Sequence, residues 1–134
     1  MRQAILQYMV VLVVFLAIDA SWLSTAGRWI YAPELGSLLK DRPNFVVAFI
    51  FYAIYALGLM VFIVSPHLAS PGIESALMYG AFFGFVAYAT YDLTSLATVN
   101  GFTTKLALID LTWGTVLSAT VSGLSIWLIR ALGI

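Results

Sequence analysis

Apolar residues fill this chain in four long blocks, separated by short polar breaks. The first block, Ala4 to Ser24, carries a single charge at Asp19. The second, Asn44 to Ser65, carries none. The third, Ile73 to Val99, has Glu74 at its entrance and Asp92 deep inside. The fourth, Leu106 to Ile129, holds Asp110. Each block is long enough to cross a bilayer, since a spanning helix needs roughly 20 apolar residues. Barrel strands are shorter and alternate in polarity, and these blocks do neither. Backbone groups in hydrocarbon must then be satisfied within a helix. The pattern predicts helices over about 4–24, 44–65, 73–99 and 105–130.

Two of the breaks are tight. Pro66-His67 to Pro71-Gly72 reads as one turn and Asn100-Gly101 to Thr104 as another. The break from Thr25 to Pro43 is longer. Pro33 is suited to the first turn of a helix. A helix starting there places Leu35, Leu38 and Leu39 on one face, with Glu34, Lys40 and Asp41 elsewhere. Trp29 and Tyr31 precede it, an arrangement typical of a segment lying in the membrane interface. The expected fold is all-α: one domain over 1–134, an integral membrane four-helix bundle with a short interfacial helix between the first two spans.

Composition narrows the class further. Of 134 residues, 63% are hydrophobic and 9% charged, whereas soluble domains carry about a quarter charged residues. A water-soluble domain and a disordered tail are both excluded. Six basic and six acidic residues cancel, so no basic footprint for nucleic acid exists. The absence of cysteine removes disulfides, thiolate metal sites and cysteine nucleophiles. No phosphate-binding or dinucleotide-binding glycine motif is present. The N-terminus has an alternative reading as a signal peptide, with Ser24-Thr25-Ala26 as a cleavage-like site. A deep Asp19 and Trp22 speak against it. Arg28, Lys40, Arg42 and Lys105 lie on one side of the membrane, against Arg2, Arg130 and the N-terminal amine on the other. By the positive-inside rule, loops 25–43 and 100–104 face the cytoplasm.

The three buried carboxylates carry the chemistry. Asp19 lies about five residues before the cytoplasmic end of its helix, Asp92 about five to seven before the end of its own, and Asp110 about five after the start of the fourth. At 1.5 Å per residue all three sit roughly 8–10 Å below one boundary. An aspartate at the centre of a span costs about 2.5–3.5 kcal/mol on insertion scales. Three at one depth mark either a functional site or a hydrogen-bonded knot that fixes helix packing. Oxygen ligands also suit a divalent cation held by Asp19, Asp92 and Asp110.

Neighbouring residues fill in the surroundings. Tyr52, Tyr88, Thr94 and Ser95 are candidate hydrogen-bond partners for the carboxylates, while Tyr91 is placed on another face. Trp22 follows Asp19 by three residues and Trp113 follows Asp110 by three, so each is expected beside its own aspartate. Gly80 and Gly84 recur with Tyr88 and Asp92 at four-residue spacing. Gly114, Ser118 and Ser122 recur likewise after Asp110. Two small-residue stripes of this kind pack helices closely. His67, in the turn at the opposite end, reads as interfacial. Asp19 to Thr25 faintly echoes Asp92 to Thr98, compatible with a two-plus-two duplication.

The stretch Ala89-Thr-Tyr-Asp-Leu-Thr-Ser-Leu-Ala-Thr98 resembles the Tyr-Asp-Leu-Thr-Asn-Leu-Ala-Thr signature of a bacterial family of small four-helix membrane proteins of unknown function, DUF2177. Asp19 with Trp22-Leu23, Phe51-Tyr52 with Tyr55 and Gly58, Gly80 with Gly84, and Asp110-Leu-Thr-Trp-Gly114 extend the match over essentially the whole chain. Ser95 stands where the pattern has Asn, and Phe102 where it has Trp. The resemblance implies a bacterial inner-membrane protein whose signature residues coincide with the carboxylate layer. It brings no reaction and no cofactor.

Three functions compete on the sequence alone. Small size and minimal loops favour an accessory subunit packing into a larger membrane complex, with a membrane-protein partner or a second copy as neighbour. The carboxylate layer offers an intramembrane binding protein or enzyme acting on a lipid or small molecule. A small proton-coupled transporter is the third, although the small multidrug exporters of similar size rely on a glutamate within helix 1 and this chain has Asp19 near the end of it.

Overall fold

A computed structural model describes residues 1–134. All its regular elements are helical. Helix α1 covers Arg2–Ala26. Helix α2 begins with Phe45–Leu59 and runs on without interruption to His67. Helix α3 is Glu74–Thr98 and α4 is Thr104–Leu132. Short connections make sequential helices antiparallel, so α1 and α3 run one way and α2 and α4 the other.

Three of these helices, Arg2–Leu38, Phe45–His67 and Thr104–Leu132, are long and apolar enough to cross a membrane. Helix α3 has the length, at 25 residues, but less apolar character. Ser75, Tyr79, Tyr88, Thr90, Tyr91, Thr94 and Ser95 dilute it. Its Gly80, Gly84 and Asp92 are turned inward and buried.

The segment after Ala26 is not a free loop. The chain widens into a π turn over Gly27–Tyr31, returns to α geometry over Ala32–Leu35 and tightens over Gly36–Leu38. The short helix expected after Pro33 is therefore joined to α1. A second π turn, Met60–Val64, interrupts the α geometry of α2. Each π turn ends two residues before a proline, Pro33 or Pro66. A proline ring crowds the carbonyl four residues back and has no N–H to give. Those carbonyls belong to Trp29 and Phe62, both inside the widened turns, and the extra residue per turn absorbs the conflict.

Helix α4 is the centre of the assembly, flanked by α3 along its length and by α1 on another face. In lipid the association of helices depends on close van der Waals fit rather than on escape from water. The small-residue seam supplies that fit. A methyl group on Gly84 would land on the Gly114 carbonyl and the Ser118 side chain. One on Gly114 would land on the Tyr88 ring. Gly80 faces Ser122 across the same seam. Away from the aspartates, Val11, Phe15, Leu59, Val64, Val121 and Ile126 fill the interior with apolar side chains.

Polar clamps close both ends. Arg130 donates to the carbonyls of His67, Leu68 and Ser70 and so ties α4 to the α2–α3 turn. At the other end the Thr103 hydroxyl caps α4 by accepting the Leu106 N–H at 3.1 Å. The same hydroxyl donates to Glu34 at 2.7 Å. Lys105 stands 3.4 Å from that carboxylate. Glu34, placed by the sequence away from the leucine face, thus pins the interfacial segment to the start of α4.

Candidate functional site: an aspartate layer beside an aromatic cleft

Helices α1, α3 and α4 bring Asp19, Asp92 and Asp110 into the half of the bundle nearest the 100–104 turn, and all three side chains are buried. Their surroundings differ. Asp19 is met by two donors: the Tyr52 hydroxyl at 2.6 Å and the Trp113 indole N–H at 2.9 Å. Asp110 accepts the Tyr31 hydroxyl at 2.5 Å. The Trp22 indole donates to that same hydroxyl at 3.2 Å. Trp22 and Trp113 lie face to face, with ring centroids 4.3 Å apart and planes within 10°. A stacked indole pair therefore bridges the two carboxylates, each ring serving the aspartate of the other's helix directly or through Tyr31.

Asp92 is the exception. It is fully buried, and neither carboxylate oxygen finds a hydrogen-bond donor. The acidic side chain beside it is that of Asp110. No three acidic side chains gather into a cation-binding group. Asp19 and Asp110 are covered instead by neutral donors, so the layer has proton donors around acceptors where three carboxylates around one divalent ion had been an option.

Asp110 also opens onto a cleft of about 490 Å³, walled by Phe51 and Tyr55 of α2 and by Ala87, Tyr88 and Tyr91 of α3. The cleft exists because α2 leans on α1 and approaches α3 chiefly at its π turn. Toward the aspartate end the two helices part. Tyr55 is held in place by a 2.7 Å hydrogen bond between its hydroxyl and Ser118. Four aromatic rings and one carboxylate line this space, with no Lys, Arg or His among them.

Several residues singled out from the sequence sit elsewhere. Thr94 is exposed and Ser95 half-buried, and no hydrogen bond joins either side chain to a carboxylate. Thr94, two residues after Asp92, lies on the far side of α3, and Ser95, three residues after it, shares its face without its hydroxyl reaching a carboxylate. Tyr88 makes no hydrogen bond to a carboxylate either. Its ring is committed to Gly114, and it serves as a wall. Trp22 and Trp113 do not bond the aspartate three residues before them. Sequence reasoning missed Tyr31 as a partner of Asp110, and Tyr91 and Phe51 as cleft walls. The signal for Tyr31 was Pro33, since a proline that widens the turn before it re-aims the side chains in that turn.

The family model described as "Predicted membrane protein (DUF2177)" matches residues 4–127. No curated protein and no solved structure matches the chain.

Proposed function

Taking the chain as a member of the DUF2177 family of membrane proteins, to which it belongs, we propose that it is an intramembrane binding protein. Its ligand enters the aromatic cleft sideways from the bilayer and is held at Asp110. The observation that carries this reading is the buried Asp110 carboxyl opening onto an aromatic cleft of about 490 Å³, with the donor-less Asp92 beside it. Small-molecule sites have this character: roughly 300–1,000 Å³, mostly apolar walls, and a few placed polar groups. Intramembrane carboxylates without a packing role mark ligand or ion sites by default. Asp19 fits a structural role, since its hydrogen bonds tie α1, α2 and α4 together.

The reading extends to the whole membrane arrangement. All four helices cross, α3 included, because its polar residues are sheltered by α4 or placed near its ends. Loops 25–43 and 100–104 face the cytoplasm of a bacterial inner membrane. The chain lacks cysteine, so single-cysteine labelling reads the orientation directly. Ser37→Cys is expected to resist an impermeant thiol reagent in intact cells, and Ala69→Cys to react. The reverse pattern overturns the orientation.

The accessory-subunit reading requires a leftover face for a protein partner. Gly80, Gly84 and Gly114, the residues best suited to such a face, are consumed inside the bundle. The outward residues of α2, among them Phe49, Ile54 and Phe62, are of the kind that lipid tails accept. A transporter needs a polar route through the other half of the bundle, which is packed with apolar side chains.

Native mass spectrometry of protein extracted gently from its own membrane tests the proposal. The expected result is a retained small amphiphile, reduced in Tyr91→Ala. A stoichiometric protein partner with no retained small molecule restores the subunit reading.

A further inference from the structure

No basic side chain pairs with the aspartate layer. Asp19, Asp92 and Asp110 are buried, yet the only ion pair in the chain joins Lys105 to Glu34. Asp19 is met by two neutral donors and Asp110 by one. Asp110 is the one carboxyl in the lining of the cleft, and no basic side chain stands beside it. A carboxylate taken out of water is stabilised by a partner of opposite sign. The walls of the cleft are suited to supply the rest of a cation's surroundings. Phe51, Tyr55, Tyr88 and Tyr91 present aromatic rings, and ring faces attract ammonium groups and related cations.

From this charge complementarity we infer that the occupant is an amphiphile with a single positively charged head, of the alkylammonium class. The head rests against Asp110 among the rings, and the tail leaves between α2 and α3 into the bilayer. The inference rests on the binding reading above and adds to it the sign of the head group. A phosphate or carboxylate head finds no basic side chain in the cleft.

The test uses the full chain in lipid nanodiscs, titrated calorimetrically with decyltrimethylammonium, decanol and decyl sulfate, with empty nanodiscs as reference. The ammonium compound is expected to bind saturably at one per chain, about tenfold or more tighter than decanol. Decyl sulfate is expected not to saturate. Equal saturable binding of decanol and the ammonium compound overturns the charge inference and leaves the binding reading standing. Saturable binding of none of the three overturns both. Asp110→Asn is expected to remove the preference for the cation, and an unchanged preference also overturns the inference. Should that variant fail to fold, Tyr91→Leu serves in its place. It removes one ring face and is expected to weaken the ammonium compound more than decanol, and equal weakening counts against the inference.

Discussion

Trp113 on α4 gives its indole N–H to Asp19 on α1, at 2.9 Å, and not to Asp110 one turn earlier on its own helix. The bond crosses directly between the two helices. It also holds Trp113 flat against Trp22. Trp113→Phe keeps an aromatic ring and loses the donor. A hydrogen bond to a charged acceptor contributes about 1.5–3 kcal/mol, so the variant is expected to melt at a lower temperature in detergent. The stacked indoles should also give a coupled near-ultraviolet circular dichroism signal that disappears with the substitution. An unchanged melting curve and spectrum would refute the pairing.

The α3–α4 seam makes a contrast between two glycines. A methyl at Gly84 meets the Gly114 carbonyl and Ser118, whereas one at Gly27 meets nothing within 4 Å. Overpacking a filled contact costs about 1–3 kcal/mol. Gly84→Ala is expected to lower thermal stability by that order and Gly27→Ala to leave it near wild type. Similar melting temperatures for the two would mean that α3 does not approach α4 so closely.

Asp92 and Glu74 occupy one helix but opposite circumstances. Asp92 is fully buried without a donor, and Glu74 is exposed at the helix entrance. Asp92→Asn puts an amide N–H donor beside Asp110, where the native side chain has no partner. Satisfying a buried acceptor is worth about 1–3 kcal/mol, so this variant is expected to gain thermal stability at neutral pH. Glu74→Gln is expected to change little. A loss of stability in Asp92→Asn would show that the Asp92 carboxylate has a partner of its own.

Much of this arrangement could be read from spacing. Asp19, Asp92 and Asp110 lie at one depth because helix rise is fixed, and counting residues from the loop ends suffices to find the layer. The seam of Gly84 and Ser118 follows from four-residue recurrence. Partner choice within the layer was not legible. Trp113 and Asp110 are close along the chain, but a long side chain three residues on can lean to a neighbouring helix, and periodicity does not say which. Thr94 drew attention by standing near Asp92 in sequence, yet two residues along a helix turn a side chain to the far face; Ser95 shares the face of Asp92, and spacing alone does not say that its hydroxyl finds no carboxylate. Tyr31 was hidden because the break was read from Thr25 with a helix starting only at Pro33, whereas a π turn over Gly27–Tyr31 carries the helix on from α1.

Thr103 holds the interfacial segment through one hydroxyl, which caps α4 and donates to Glu34. Thr103→Val loses both contacts. Removing a capping side chain costs about 0.5–2 kcal/mol, and here the effect should be local as well. Amide hydrogens of the Ile30–Leu38 stretch are expected to exchange faster in the variant, while those in the middle of α4 keep their protection. Lys105→Ala is expected to do much less, since an exposed ion pair contributes about 0–1 kcal/mol. Uniform exchange across the chain in Thr103→Val would show that the segment is anchored elsewhere.

The widened turn at Gly27–Tyr31 makes chain length itself part of the site. One residue in an α-helix corresponds to about 100° of rotation. Deleting a residue there would relax the turn to ordinary α geometry and swing everything beyond it around the axis, carrying Tyr31 away from Asp110 while every other side chain in the layer stayed intact. The oxygen that Tyr31 now covers would then lie open. The lesion would be a change of phase rather than of chemistry, and no single exchange of one side chain for another reproduces it.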